Sequence, residues 1–73
     1  MKEKAVLVTG ACGEIGQALI QNLSERGANR IVTADISPLP DTIKSMVSEH
    51  LQGDLVNRIK QLYDYDFDII YHL

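Results

Sequence analysis

Two hydrophobic periods alternate along this chain, and the switches between them mark its elements. Residues 4–9, KAVLVT, form a short apolar run rich in β-branched side chains, the pattern of a strand buried on both faces of a parallel sheet. From Glu14 the period lengthens. Ile15, Ala18, Leu19 and Leu23 fall at i, i+3, i+4 and i+8, which predicts one face of a helix over 14–27. Arg26 stands in its last turn, where a cation suits the helix dipole, and Gly27 is placed to cap it. NRIVTADI, 29–36, predicts a second strand. In 37–50, Pro38 and Pro40 interrupt the chain, and Asp41 is placed to cap a short helix through Val47. HLQGD, 50–54, fits a brief third strand. Residues 54–66 predict another helix, with Asp54 as N-cap and Leu55, Ile59, Leu62 and Tyr63 on one face. FDIIYHL, 67–73, predicts a fourth strand.

Strands that alternate with helices imply right-handed crossovers and a parallel sheet. The expected fold is α/β, the N-terminal half of a Rossmann-type doubly wound sheet with strand order 3-2-1-4. The sequence stops within its fourth strand, at Leu73. A bare apolar strand invites edge pairing, so the expectation is one partial domain over 1–73, the first half of something larger.

Composition narrows the chemistry. Seventy-three residues allow a single small domain, and a chain of that size buries only about 60% of its unfolded surface. The single cysteine, Cys12, excludes an internal disulfide, and with only the distant His50 and His72 beside it no zinc site is read. Net charge is −3, and the seven Lys and Arg are scattered from Lys2 to Lys60 without a basic stripe, which argues against a nucleic-acid partner. The N-terminal apolar run is too short for a signal peptide, and no stretch approaches a membrane span. The address this predicts is the cytoplasm, with no membrane partner.

The candidate chemistry lies in VTGACGEIG, residues 8–16, where Gly10, Gly13 and Gly16 recur every third position between a strand and a helix. Unpaired N–H groups of a first helical turn bind anions, and the helix dipole adds to the attraction. In this arrangement Gly10 permits the tight turn, Gly13 lets a pyrophosphate approach the backbone, and Gly16 lets the helix pack close to the sheet. No Gly-Lys-Ser/Thr follows, which excludes a P-loop. Nineteen residues beyond Gly16, the second strand ends in Asp35, close to the roughly 20-residue offset of an acid that binds ribose. A carboxylate there accepts from ribose hydroxyls and repels a 2′-phosphate. Ile36 and Ser37 offer that phosphate no cation, so NAD is favoured over NADP.

TGACGEIG, 9–16, resembles the cofactor loop of the extended short-chain dehydrogenase/reductases, the NAD-dependent epimerase/dehydratase group. That group carries T-G-x-x-G-x-x-G, matched here in full. The other main branch carries T-G-x-x-x-G-x-G, which would need glycine where Glu14 stands. GDL, 53–55, and IIYHL, 69–73, resemble the next landmarks of the group. The resemblance implies that Asp54 receives the adenine amino group and that the Leu55 N–H meets the ring. The residues expected to meet the cofactor are therefore Gly10, Gly13, Glu14, Ile15 and Gly16 of the loop, Asp35 and Ile36, and Asp54 and Leu55. Within the group, T-G-A-C-G-x-I-G together with Y-H-L most resembles the short-chain type of L-threonine 3-dehydrogenases.

One departure limits this. The chemistry of the group uses a Tyr-x-x-x-Lys pair in which lysine lowers the tyrosine pKa. Tyr63 is followed four residues on by Phe67, Tyr65 by Ile69, and Tyr71 stands two from the last residue. No catalytic residue is assigned, and the pair and the substrate part are expected beyond Leu73. Cys12 reads as a loop filler, His72 as a packed strand residue, and Asp64, Asp66 and Asp68 as a solvated connection lacking the glycine and terminal Glu of a calcium loop. The function expected is the NAD-binding segment of an enzyme that transfers hydride between NAD and a hydroxyl-bearing substrate. The alternatives are a non-catalytic dinucleotide-binding or sensor protein, or a half-domain that acts only as a dimer or subunit. In the last case a homo-oligomer would cover the fourth-strand edge.

Overall fold

A computed structural model describes residues 3–28, 30–54, 57, 59–63 and 65–73. The elements follow in the order β1 (Glu3–Thr9), α1 (Glu14–Glu25), β2 (Ile31–Asp35), α2 (Asp41–Lys44), β3 (Glu49–Gln52), α3 (Ile59–Leu62) and β4 (Tyr65–His72). The strands form one sheet in the order β3-β2-β1-β4, and every pairing is parallel. This is the α/β topology expected from the sequence. Thr9 lies opposite Ala34 on one side and His72 on the other, so β1, β2 and β4 end level with one another.

The period of two divides the core into two clusters. Val8, Ile20, Ile31, Leu39 and Ile43 form one cluster, with Leu19, Leu23 and Tyr71 packed against it. Ala5, Leu7, Val32, Ala34 and Leu51 form the other, joined by Leu62, Tyr65 and Phe67. Val32 and Ile20 are wholly buried, and burial of a side chain of this kind contributes about 1.5–3 kcal/mol.

The helical face differs from the expected one. Ile15 is 74% exposed and Ala18 is exposed, whereas Gly16 and Ile20 are buried and Leu19 and Leu23 half-buried. The stripe on the sheet is thus 16-19-20-23, because the close approach is made at Gly16. Arg26 caps the helix rather than standing in its last turn. Gly27, at φ +80°, donates to the Ser24 carbonyl (3.1 Å) and Ala28 to that of Leu23 (3.0 Å), which closes a Schellman turn.

Other boundaries also move. The second strand begins at Ile31, and Asn29 lies outside the described residues. Pro40, not Asp41, is the N-cap of α2, where its carbonyl accepts from the N–H groups of Ile43 and Lys44, both at 3.0 Å. The helix ends at Lys44, short of Val47. Among the described residues of 54–66, α-helix covers only Ile59–Leu62, and Asp54 instead accepts the Asn57 N–H on its carbonyl at 3.0 Å. Tyr65 and Asp66 belong to β4. Tyr65 stacks on Phe67 at 5.5 Å between ring centroids and donates its hydroxyl to Glu49, and these contacts favour the extended chain. Asp68 lies in β4 too, rather than in a connection, and Asp64 is outside the described residues. Ala5 lies opposite Phe67 and Val6 opposite Ile69, so Asp68 is an extra residue, a β-bulge beside Lys4 (3.5 Å).

Candidate functional site

The carboxyl ends of the strands surround a cleft of about 240 Å³, lined by Thr9, Gly10, Ala34, Asp35, Ile36, Gly53, His72 and Leu73. Open α/β sheets offer ligand space at this end, where the crossovers leave the strands in different directions. A larger hollow of about 330 Å³ lies between α2 and β3, bordered by Leu39, Lys44 and His50, but no residue of the glycine loop lines it.

The glycine loop is built by three different constraints. Gly10 donates its N–H to Ala34 (2.9 Å) and turns at φ +66°, and a Cβ there would stand 2.8 Å from the Leu73 carbonyl oxygen. A Cβ at Gly16 would meet the carbonyl oxygens of Gly10 and Ala11 at 2.7 Å, so glycine sets how close α1 comes to the loop. Gly13 is different. It is extended (φ −73°, ψ 168°), and a Cβ there would have only the Gly10 carbonyl oxygen at 3.8 Å for a neighbour. Neither backbone strain nor packing within the chain requires glycine at this place.

Gly13 is also the N-cap of α1 and provides no side-chain cap. The first helical hydrogen bond runs from the Gln17 N–H to the Gly13 carbonyl at 2.9 Å. The N–H groups of Glu14, Ile15 and Gly16 precede it, and such groups have no intrahelical acceptor. This helix mouth, with open space over Gly13, can receive an anion. The chain's own residues therefore fit a phosphate-bearing group at this place.

Asp35 joins the loop to the second strand. Its Oδ2 accepts the Cys12 N–H at 2.9 Å and its Oδ1 the Ser37 N–H at 3.0 Å. These two amides hold its carboxyl below the usual carboxylate range. A carboxylate has about four lone-pair sites, so a ligand hydroxyl can donate to Asp35 beside these amides. Cys12 donates its thiol to the carbonyls of Ser37 (3.2 Å) and Pro38 (3.3 Å), while Gln17 Nε2 donates to the Cys12 carbonyl at 2.8 Å. Burial and the Asp35 charge push the Cys12 thiol up, so it remains protonated near neutrality.

Of the residues singled out by sequence, Gly10, Asp35 and Ile36 line the cleft, with Ile36 76% exposed. Gly13, Glu14, Ile15 and Gly16 stand beside it at the helix mouth. Asp54 is exposed and follows Gly53 without lining the cleft, and Leu55 lies outside the described residues. Sequence reasoning missed Thr9, Ala34, Gly53, His72 and Leu73 as walls. Their signal was their place at the ends of strands. His72 is a correction: it is exposed at the cleft rather than packed, and its Nδ1 pairs with Thr9 Oγ1 at 2.6 Å. Among the described residues no group of acidic, His or Cys side chains could hold a metal, and no helix is long and apolar enough to cross a membrane.

No curated protein matches the chain. The KR domain matches it over residues 4–69, from the first strand into the fourth and through the whole glycine loop. The chain thus belongs to the KR domain family, short-chain dehydrogenase/reductase domains that bind a nicotinamide dinucleotide, NAD or NADP.

Proposed function

We propose that this chain is the NAD-binding segment of an oxidoreductase of the epimerase/dehydratase type, similar in its loop to short-chain L-threonine 3-dehydrogenases. The observation that carries the choice of NAD is Asp35, a carboxylate at the cleft wall with Ile36 and Ser37 after it and no cation. The helix mouth at Gly13, Glu14, Ile15 and Gly16 would hold the pyrophosphate. Asp35 would accept from the adenosine ribose, Ile36 would cover the adenine, and Asp54 and Leu55 would meet its polar edge. When bound, the nicotinamide supplies the hydride acceptor or donor. The 73 residues contain no Tyr-x-x-x-Lys, so their part is to bind and orient. Proton transfer to or from a hydroxyl-bearing substrate falls to residues other than these.

Calorimetric titration of the chain with NAD and with NADP tests this reading. Binding of NAD, even in the millimolar range, with weaker binding of NADP is expected. A folded sample that binds neither, or that prefers NADP, overturns it.

A second feature favours association through β4. Ile69 is 47% exposed and Ile70 60%, on opposite faces of a strand whose outer edge has no neighbour in the sheet among the described residues. A second copy pairing along that edge would satisfy its open N–H and C=O groups.

A further inference from the structure

The turn that carries Asp35 is clamped from β3, by a side chain outside the expected cofactor residues. Ser37 follows β2, outside any regular element, and its N–H is the donor to Asp35 Oδ1. The opposite side of the same residue is also held. His50 on β3 places its Nε2 2.9 Å from the Ser37 carbonyl oxygen, and its Nδ1 lies 2.7 Å from Thr33 Oγ1. A carbonyl can only accept, so Nε2 carries the proton, and in the neutral ring Nδ1 accepts from the Thr33 hydroxyl. Thr33 is wholly buried in β2 and lies opposite His50 in the ladder. The ring is thus oriented by a fixed hydroxyl and delivers its one N–H to Ser37. A charged ring would keep that contact, since Nδ1–H would then donate to Thr33 while the hydroxyl turned to the Glu49 carbonyl at 3.5 Å.

We propose that His50 is a positioning residue for the ribose end of the cofactor site: oriented by Thr33, it fixes Ser37, and through Ser37 the Asp35 carboxylate. This rests on the reading of Asp35 as the ribose acceptor. His50 itself lines the neighbouring hollow and not the cleft, so it acts through Asp35 and not on the cofactor. Without it, the weak thiol donor of Cys12 is what remains on the Ser37 carbonyl among the described residues. The carboxylate then loses a fixed partner, while the glycine loop keeps its own geometry.

The test is titration of the wild-type chain, His50→Ala and His50→Gln with NAD and NADP, with thermal melts confirming that each is folded. Gln places an amide N–H at about the reach of Nε2. His50→Ala is expected to weaken NAD about fivefold, the worth of one ordinary hydrogen bond, and to leave NADP within about twofold, since NADP has no free 2′-hydroxyl to donate to Asp35. His50→Gln is expected to restore most of the NAD affinity. In an Asp35→Ala background, His50→Ala should change neither affinity, because the two act as one unit. Equal weakening of both cofactors, no change in NAD binding, or additive effects in the double variant would overturn the role of His50. A wild-type chain without NAD preference would instead overturn the reading of Asp35 beneath it.

Discussion

Residue by residue, the glycine loop separates what folding needs from what a ligand needs. A Cβ at Gly16 would press on two carbonyl oxygens at 2.7 Å. Gly16→Ala is therefore expected to destabilise the chain by about 1–3 kcal/mol, as overpacking does, and thermal denaturation reads this directly. At Gly13 the added methyl has room, with its nearest neighbour at 3.8 Å. Gly13→Ala should cost only the N-cap preference for glycine, less than about 1 kcal/mol, yet bind NAD at least about tenfold more weakly, a loss of some 1.4 kcal/mol at the helix mouth. Asp35 gives the pH dependence. Its folded pKa is depressed by the Ser37 and Cys12 amides, so its contribution to stability is complete above the usual carboxylate range and is lost as pH falls through the folded value. Melting temperatures between pH 6 and pH 3 should drop more steeply for the wild type than for Asp35→Asn, and parallel curves would refute this. The spacing of the three glycines and Asp35 was legible in the sequence. That Asp35 bonds to Cys12, 23 residues away, was not, because only the closed sheet brings them together.

At the scale of elements, types were legible and faces less so. All four strands and α1 stand where apolar periodicity put them, give or take a few residues. The face of α1 was misread because its closest contact is made by Gly16, a residue with no hydrophobicity to count. Helix was extended over Tyr65 and Asp66 because periodicity cannot register the ring of Phe67 or the carboxylate of Glu49, both supplied by the sheet. At the end of α1 the turn at Gly27 was legible and the place of Arg26 was not, and the cost of that turn can be measured. Among the described residues no atom lies within 4 Å of a would-be Cβ at Gly27, so it is the left-handed backbone that resists substitution. Gly27→Ala is expected to cost about 1–2 kcal/mol, a fall in melting temperature of about 4–8 °C for each kcal/mol in a domain of this size. An unchanged melting temperature would show that the Schellman turn does not hold the helix end.

For the molecule as a whole, the two edges of the sheet are unlike. The edge at β3 is short, four residues, with Leu51 buried. The edge at β4 is twice as long and leaves Ile69, Ile70 and Leu73 about half exposed. Sedimentation over a range of concentrations is expected to show self-association, and Ile70→Lys, which sets a charge on the open face, is expected to shift the chain to monomer. A wild-type chain that stays monomeric throughout would exclude pairing through β4.

The bulge at Asp68 has a consequence for how this strand tolerates change. Loss of one residue from a strand ordinarily sends every later side chain to the other face. Here the residues before Asp68 pair with Glu3, Lys4 and Ala5, and those after it with Val6 to Thr9, so both halves are in register without it. The strand carries one residue of slack. Removal of Asp68 should take out that slack and the exposed pair with Lys4, and leave His72 opposite Thr9 at the cleft. One residue lost from β4 can thus be absorbed at Asp68, so that a change near Tyr65 need not reach the cleft.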